Sequence, residues 1–453
     1  MNLPKIEIPK RPTYIHLADD INFFELFKKI EKKYDTCYLF ESLGEANHMS
    51  RYSVIGFDPT HIIRGKEKKL FFDAEVFDVK NPYYALREIV PQDSISRKYA
   101  GGLVGYMSYD CINYFEPSVN VQVHQDFDQF MFGVYLDGLV YDTMTNQLFY
   151  FYYIDNRIEL IHEILKDILV QTQVHVQFLG DTLTREEHKK LVESTKQYII
   201  DGYTFQCEVG FKSEYEIHGD TIRIYEKLRE VNPSPYMYHI KFAKKKIIGA
   251  SPELLFSLDH GQIETHPLAG TIKRGESLFE DVQLARKLLN DPKEVAEHNM
   301  LVDMHRNDIG KIAQIGSVHV TRLMDIKKFS HVQHISSEIS GILKSGEDMF
   351  SGLASLLPGG VLSGAPKIET IKIIDKNELD ARGPYGGAVG SFEFNGNCTF
   401  AIPIRTLFIS GDKVFTQTCS GIVYDSVPEK EYDEIERKLS AMKQTLMSFY
   451  YYI

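Results

Sequence analysis

The chain has 453 residues, 43% hydrophobic and 25% charged, enough for one large core or two domains. Its formal net charge of −12 argues against a nucleic-acid partner, because phosphate binding needs a basic surface. No stretch has the apolar length of a membrane-spanning helix, and the opening MNLPKIEIPKRPTYIH lacks an apolar signal core, so a soluble, cytoplasmic protein is expected.

The first third reads as strands and hairpins. CYLFES, RYSVIGFDPTHIIRG and KLFFDAEVFDV are strand-like, and FMFGVYLDGLVYDTMTNQLFYFYYI reads as two strands joined at TMTNQ. NRIELIHEILKDILVQ has helical period. The pattern weakens over 173–184, which sets a soft boundary near residue 180, dividing the chain into 1–180 and 181–453. Thr184 and Glu187 then form a capping box, and Gly202 sits where that helix should stop. The last 270 or so residues mix long helices with short strands at hairpin spacing, which favours an α+β class over a doubly wound parallel sheet. The five cysteines, Cys37, Cys111, Cys207, Cys398 and Cys419, are scattered and show no CxxC spacing, against a zinc site or a disulfide framework.

Two later helices carry carboxylates at helical spacing. In NDPKEVAEHNMLVDMHRNDIGK, Asp291 can cap, Pro292 suits the first position and Gly310 the end, which puts Glu294 and Glu297 on one face. In EKEYDEIERKLSAMKQTL, Glu431, Glu434 and Lys438 lie beside an apolar face of Ile435, Leu439, Met442 and Leu446. Spacing alone fits ordinary solvated faces; facing one another, the two helices would supply oxygen ligands for Mg²⁺.

ETHPLAGTIKRG and LPGGVLSGAPKIETIKIID both bring glycines close to a basic residue, where backbone N–H groups can meet an anion. The second lacks the serine or threonine after its lysine that a nucleotide phosphate loop needs. In RGPYGGAVGSFEFNGNCTFAIPIRTLF, Tyr385 stands among glycines and Arg405 inside an otherwise apolar strand; a buried arginine needs a partner, from the protein or from a carboxylate ligand. His334, in SHVQHISSEISG, taken alone fits a structural histidine.

In chain order, ESLGEANHMSRYSVIGFDP, GGLVGYMSYD, NPSPYMYHI, SPELLF, PLAGT, AEHNMLVDMHRNDIGK, VQHISSEISG, PGGVLSGAPK, RGPYGGAVGSF, IRT and GIVYDSVPEKEYDE resemble the chorismate-binding enzymes over nearly the whole length, most closely their anthranilate-forming branch. The resemblance implies an α+β fold of antiparallel β-sheets packed face to face with helices outside. It implies that Mg²⁺ sits near Glu294, Glu297, Glu431 and Glu434, and that Tyr385, Arg405, Gly421 and Lys438 hold the carboxylates of chorismate, with Ala269, Gly270 and Thr271 lining the pocket. Glu253 matches the family's general acid and His334 a histidine used when pyruvate is eliminated. Folate-route relatives, which make aminodeoxychorismate, carry a nucleophilic lysine where this chain has Ala269. Isochorismate-forming relatives carry a base lysine where it has Gln206. Both positions point to ammonia as nucleophile, delivered by a separate glutamine amidotransferase subunit. Glu41, Ser42, Asn232, Pro233, Tyr236 and Met237 resemble a regulatory tryptophan pocket, assigned with the segment 1–180, while 181–453 carries the chorismate site. The chain itself contains no tryptophan, as suits an enzyme needed when that amino acid is scarce. Gly210, Lys212, Val361, Cys419, Ser420 and His266 depart from the family pattern. An aminodeoxychorismate synthase and a non-catalytic tryptophan-sensing relative remain the alternatives at this stage.

Overall fold

A computed structural model describes residues 3–18, 20–43, 51–96, 98–170, 172–329 and 332–450. Residues 44–50 of the ESLGEANHMSRYS motif lie outside the described residues. Two large antiparallel sheets face each other. One runs, edge to edge, through Thr13–His16, Gln147–Tyr152, Asp137–Asp142, Tyr52–Phe57, Thr36–Glu41, Tyr236–Phe242, Lys245–Ser251, Thr406–Ser410, Lys413–Ile422, Gln206–Gly219 and Val174–Asp181. The other runs through Leu268–Lys273, Val332–Ile342, Gln262–Thr265, Leu254–Asp259, Cys398–Ala401, Ala388–Glu393, Gly102–Met107, Phe130–Tyr135, His61–Lys66, Lys69–Phe72 and Glu75–Asp78.

The period of two along each strand decides what lies between the sheets. Tyr38 points inward, to a core shared with Tyr135, Phe132 and Phe400 of the second sheet. Its neighbours Cys37 and Leu39 point outward, to a second core closed by helices Phe23–Lys33, Ile158–Lys166, Ile222–Val231 and Pro428–Met447, through Phe27, Ile161, Leu228 and Met442. Helices Pro292–Gly310 and Met349–Leu356 lie against the second sheet. The expected α+β architecture, with antiparallel sheets face to face and helices outside, is therefore what the chain adopts.

Both sheets draw strands from either side of residue 180. Thr36–Glu41 pairs with Tyr236–Phe242, and Gly102–Met107 with Ala388–Glu393. Four local expectations change. The run before TMTNQ is two strands, Phe130–Tyr135 and Asp137–Asp142, one in each sheet, so the segment holds three strands where two were expected. The weak stretch before residue 184 contains an edge strand, Val174–Asp181, in which Gln177, Phe178 and Leu179 are all exposed next to a register shift, so the alternation of buried and exposed residues is lost. The helix after the 137–152 hairpin is shorter than its periodicity, ending at Lys166. Arg405 is not inside a strand; it immediately precedes Thr406–Ser410 with φ of 52°.

Candidate active site

The strand Leu268–Lys273 slips by one residue against Val332–Ile342 between Ala269 and Thr271. Gly270 occupies the slip with φ of 58°, a conformation that favours glycine, and a Cβ there would come within 3.0 Å of Glu294 Oε2. The bulge aims two acceptors at His334, whose Nδ1 lies 3.1 Å from the Gly270 carbonyl and 3.0 Å from Thr271 Oγ1. Nδ1 therefore carries the proton, and Nε2 accepts from Arg405 Nη2 at 3.2 Å. Burial, then the Arg405 charge, pushes the imidazole down to about 3, so His334 is neutral.

Among the described residues Arg405 makes no ion pair with a carboxylate; its hydrogen bond to His334 leaves the rest of its fork open. Burial brings the guanidinium down to about 10, against the pull of Glu253. Glu253 lies between the strands Lys245–Ser251 and Leu254–Asp259, after Pro252, and is buried, its Oε1 accepting from the Leu268 N–H at 3.0 Å. Burial raises its carboxyl to about 8; the Leu268 N–H and Arg405 oppose the rise and Glu208 adds to it. A carboxyl that keeps its proton at neutral pH is a general acid in waiting.

On the opposite side of the cleft, Lys438 Nζ donates to the Cys419 carbonyl at 3.0 Å and pairs with Glu434 at 2.8 Å. Burial works against its charge, yet Glu434 and Glu208 hold the ammonium above the ordinary lysine range. Tyr385, buried, lies with its hydroxyl 3.0 Å from Cys419 Sγ. Gly421 leaves room for two side chains: a Cβ there would sit 2.5 Å from Gln206 Nε2 and 2.6 Å from Glu208 Oε1. Gln206 opens the strand Gln206–Gly219 and donates Nε2 to Glu208 Oε1 and to Glu297 Oε1, both at 3.2 Å.

The helix Pro292–Gly310 starts as its sequence signals imply, with Asp291 accepting from the N–H groups of Lys293 and Glu294. Burial raises the Glu294 carboxyl to about 7, with Glu297 next and Glu434 adding. Glu297 and Glu431 are raised by burial too, with Glu434 adding to both, while Lys438 lowers Glu434. Carboxylates that raise one another in a partly buried site are an all-oxygen donor set suited to a hard divalent cation. Among the described residues, no three acidic, histidine or cysteine side chains already converge on one point. Gln206 and Lys438 engage Glu297 and Glu434 instead.

Other sequence candidates fall elsewhere. Arg274 pairs with Asp281 at 2.6 Å, and Lys367 pairs with Asp308, so the cations beside the two glycine segments brace the fold. A separate cavity of about 540 Å³ between the sheets is lined by Glu41, Ser42, Tyr236 and Met237. Asn232 and Pro233 do not line it; Asn232 instead ends the helix Ile222–Val231, and Glu41 is tied to Arg229 at 2.8 Å.

Two residues of the cleft escaped the sequence reading. Glu208 is buried, accepts from Cys419 Sγ at 3.1 Å, and is pushed up to about 7 by burial. Arg382, buried against Glu378, donates to the Glu208 carbonyl at 2.7 Å and fixes that stretch of strand. The signal for Glu208 was present: it lies two residues after Gln206, and alternate residues of a strand share a face.

A buried acid, two buried cations and an acidic rim, brought together from both sheets and two helices, form the kind of grouping that an enzyme acting on a small anionic substrate needs. A family model described as chorismate binding enzyme matches residues 35–444, and the chain belongs to that family. It is similar to anthranilate synthase component 1 of Leptospira biflexa, 51% identical over 98% of both chains. The same protein of Methanothermobacter thermautotrophicus is 40% identical over 93% of this chain and 92% of the relative. Among solved structures, anthranilate synthase component I from Streptococcus pneumoniae superposes with a TM-score of 0.77 at 30% identity, covering 89% of this chain and 94% of the other. The menaquinone-specific isochorismate synthase of Escherichia coli shares the fold, with a TM-score of 0.75 at 17% identity, over 97% of this chain and 96% of that one.

Proposed function

We propose that the chain converts chorismate and ammonia to anthranilate and pyruvate, as the chorismate-converting component of an anthranilate synthase and the first step toward tryptophan. The observation that carries this reading is Glu253, a buried carboxyl held near 8 beside a guanidinium without a carboxylate partner. Chorismate loses a hydroxyl from C4, and hydroxide is a poor leaving group unless a proton reaches it. Glu253 has that proton to give.

Arg405, Lys438, Tyr385 and Gly421 bind the two substrate carboxylates, the arginine in bidentate fashion. Glu294, Glu297, Glu431 and Glu434 would hold Mg²⁺, whose charge offsets that of the ring carboxylate. Ala269 has no nucleophile, so nitrogen adds directly at C2 to give 2-amino-2-deoxyisochorismate. Gln206 is a neutral amide and cannot activate water as a lysine base would. When Arg405 turns to a substrate carboxylate, it releases His334 Nε2, which then serves the second step, where pyruvate leaves and the ring becomes aromatic. Ammonia comes from a glutamine amidotransferase partner subunit in the cytoplasm. The cavity lined by Glu41, Ser42, Tyr236 and Met237 takes tryptophan as feedback inhibitor; its volume of about 540 Å³ and mixed polar lining suit an aromatic amino acid. In this reading the segment 1–180 belongs chiefly with regulation and 181–453 with catalysis.

The test incubates the chain with chorismate, Mg²⁺ and an ammonium salt, with and without tryptophan. Anthranilate fluorescence and an equivalent of pyruvate are expected. Accumulation of 4-amino-4-deoxychorismate, or chorismate left unchanged even with the glutaminase subunit present, would overturn the reading.

A further inference from the structure

Lys212, one of the positions that departs from the family pattern, is only 7% exposed, and among the described residues it makes no ion pair with a carboxylate. Its Nζ donates to the Ala381 carbonyl at 2.9 Å and lies 4.8 Å from the centre of the Phe415 ring. An ammonium has three N–H bonds, so two remain unused, and a buried charge without a counter-charge is costly. His124 stacks on the same ring, nearly parallel to it, and is 8% exposed. Its Nδ1 accepts from the N–H groups of Asp126 and Phe127, at 3.1 and 3.3 Å. Burial, then the Lys212 charge, brings the imidazole down to about 4, so it is neutral and Nε2 carries the proton. No described residue accepts from that N–H. Both side chains line a cavity of about 360 Å³ that shares no residue with the cavity of Glu41 and Tyr236 or with the cleft around Glu253.

Two buried donors call for an acceptor, and the rest of the lining says what else the ligand must carry. Asp126, Glu214, Asp380 and Asp412 also line the cavity, and of these only Asp126 is in an ion pair among the described residues, with Lys413 at 2.9 Å. Asp380 and Asp126 bear electrostatically on both Lys212 and His124, so they stand beside the donors. This acidic lining repels a simple anion such as phosphate, and Lys212 repels a simple amine. A zwitterion satisfies both. The remaining wall, Leu179, Val414 and Phe415, is apolar. We propose that this cavity binds a free α-amino acid with an apolar side chain: Lys212 Nζ and His124 Nε2 hold its carboxylate, Asp380 and Glu214 face its ammonium, and Leu179 and Phe415 take the side chain. The site goes beyond the proposed function and depends on no step of it.

The test is isothermal titration of the intact chain with L-leucine and with L-phenylalanine. At least one should bind with a Kd of about 1 mM or tighter. Analogues that lack the ammonium (isocaproate, hydrocinnamate) or the carboxylate (isoamylamine, phenethylamine) should bind about tenfold or more weakly. Lys212→Met should lose a similar factor, and Lys212→Arg should recover most of it. Thermal melts establish that each variant folds; if Lys212→Met does not, the analogue series on the wild type decides. Absence of binding by both amino acids overturns the proposal. So does affinity unchanged in Lys212→Met, which would put the ligand elsewhere, or an analogue without the ammonium that binds as well as its amino acid, which would make this a plain anion site.

Discussion

At the scale of single residues, the cleft pairs groups whose environments push them in opposite directions. Glu253 keeps a proton that exposed carboxylates lose, and His334 refuses one that exposed histidines accept, both chiefly through burial. Glu253→Gln should lower kcat by about 10²- to 10⁴-fold with a nearly unchanged chorismate KM, measured by anthranilate fluorescence. Because the acid acts in its protonated form and its folded value is about 8, wild-type turnover should hold below that pH and fall as pH rises through it. With free ammonia held saturating at each pH, a kcat that instead falls on the acid side between pH 6 and 8 would assign the proton to another group. Arg405→Lys keeps a positive charge but replaces a planar fork by a point, so the chorismate KM should rise by about tenfold or more.

At the scale of elements, the helices were legible because their signals are local. Thr184 and Glu187 close the capping box of Arg185–Ile200 as their spacing implies, and Asp291 caps Pro292–Gly310. Asp291→Ala should cost about 1 kcal/mol, and the free Glu294 N–H should also loosen the first carboxylate of the rim. Leu439 is 1% exposed on the helix Pro428–Met447, so Leu439→Ala should cost about 2–5 kcal/mol, visible in chemical denaturation. Strands were legible as strands, but not their partners: nothing in CYLFES states that it pairs with a segment 200 residues on. The link from Gly270 to His334 to Arg405 depends on a bulge and on a left-handed backbone position before a strand, neither of which has a periodic signature. The acidic faces were visible, yet spacing could not show that burial makes them raise one another. Family motifs supplied only the expectation that the two faces act together, because they carry a tertiary arrangement that periodicity omits. Glu208 was readable in QCEVGF only through its place two residues after Gln206, on the same face of the strand.

For the whole molecule, two sheets supply one wall each. Glu253, His334 and the Ala269–Thr271 bulge come from the second sheet, Gln206, Glu208 and Gly421 from the first, and two helices bring the carboxylate rim. Chelation should therefore abolish anthranilate formation without unfolding the protein, and Mg²⁺ should restore it. Activity that survives a chelator would leave the rim as a purely electrostatic feature. The separate cavity lined by Glu41 and Tyr236 lies in the same gap between the sheets, so a ligand bound there would press on strands that also flank Glu253 and Tyr385, Leu254–Asp259 and Ala388–Glu393.

The pairing of early strands with late ones also sets a timetable for synthesis. Thr36–Glu41 leaves the ribosome long before Tyr236–Phe242, and Gly102–Met107 must wait for Ala388–Glu393, near the end of translation. Until then each exposes an unpaired edge, the template for association with other nascent chains. The cell that makes this enzyme must therefore shelter it through most of its translation, and expression at low temperature or with chaperones should raise the soluble yield more than any change to the finished surface.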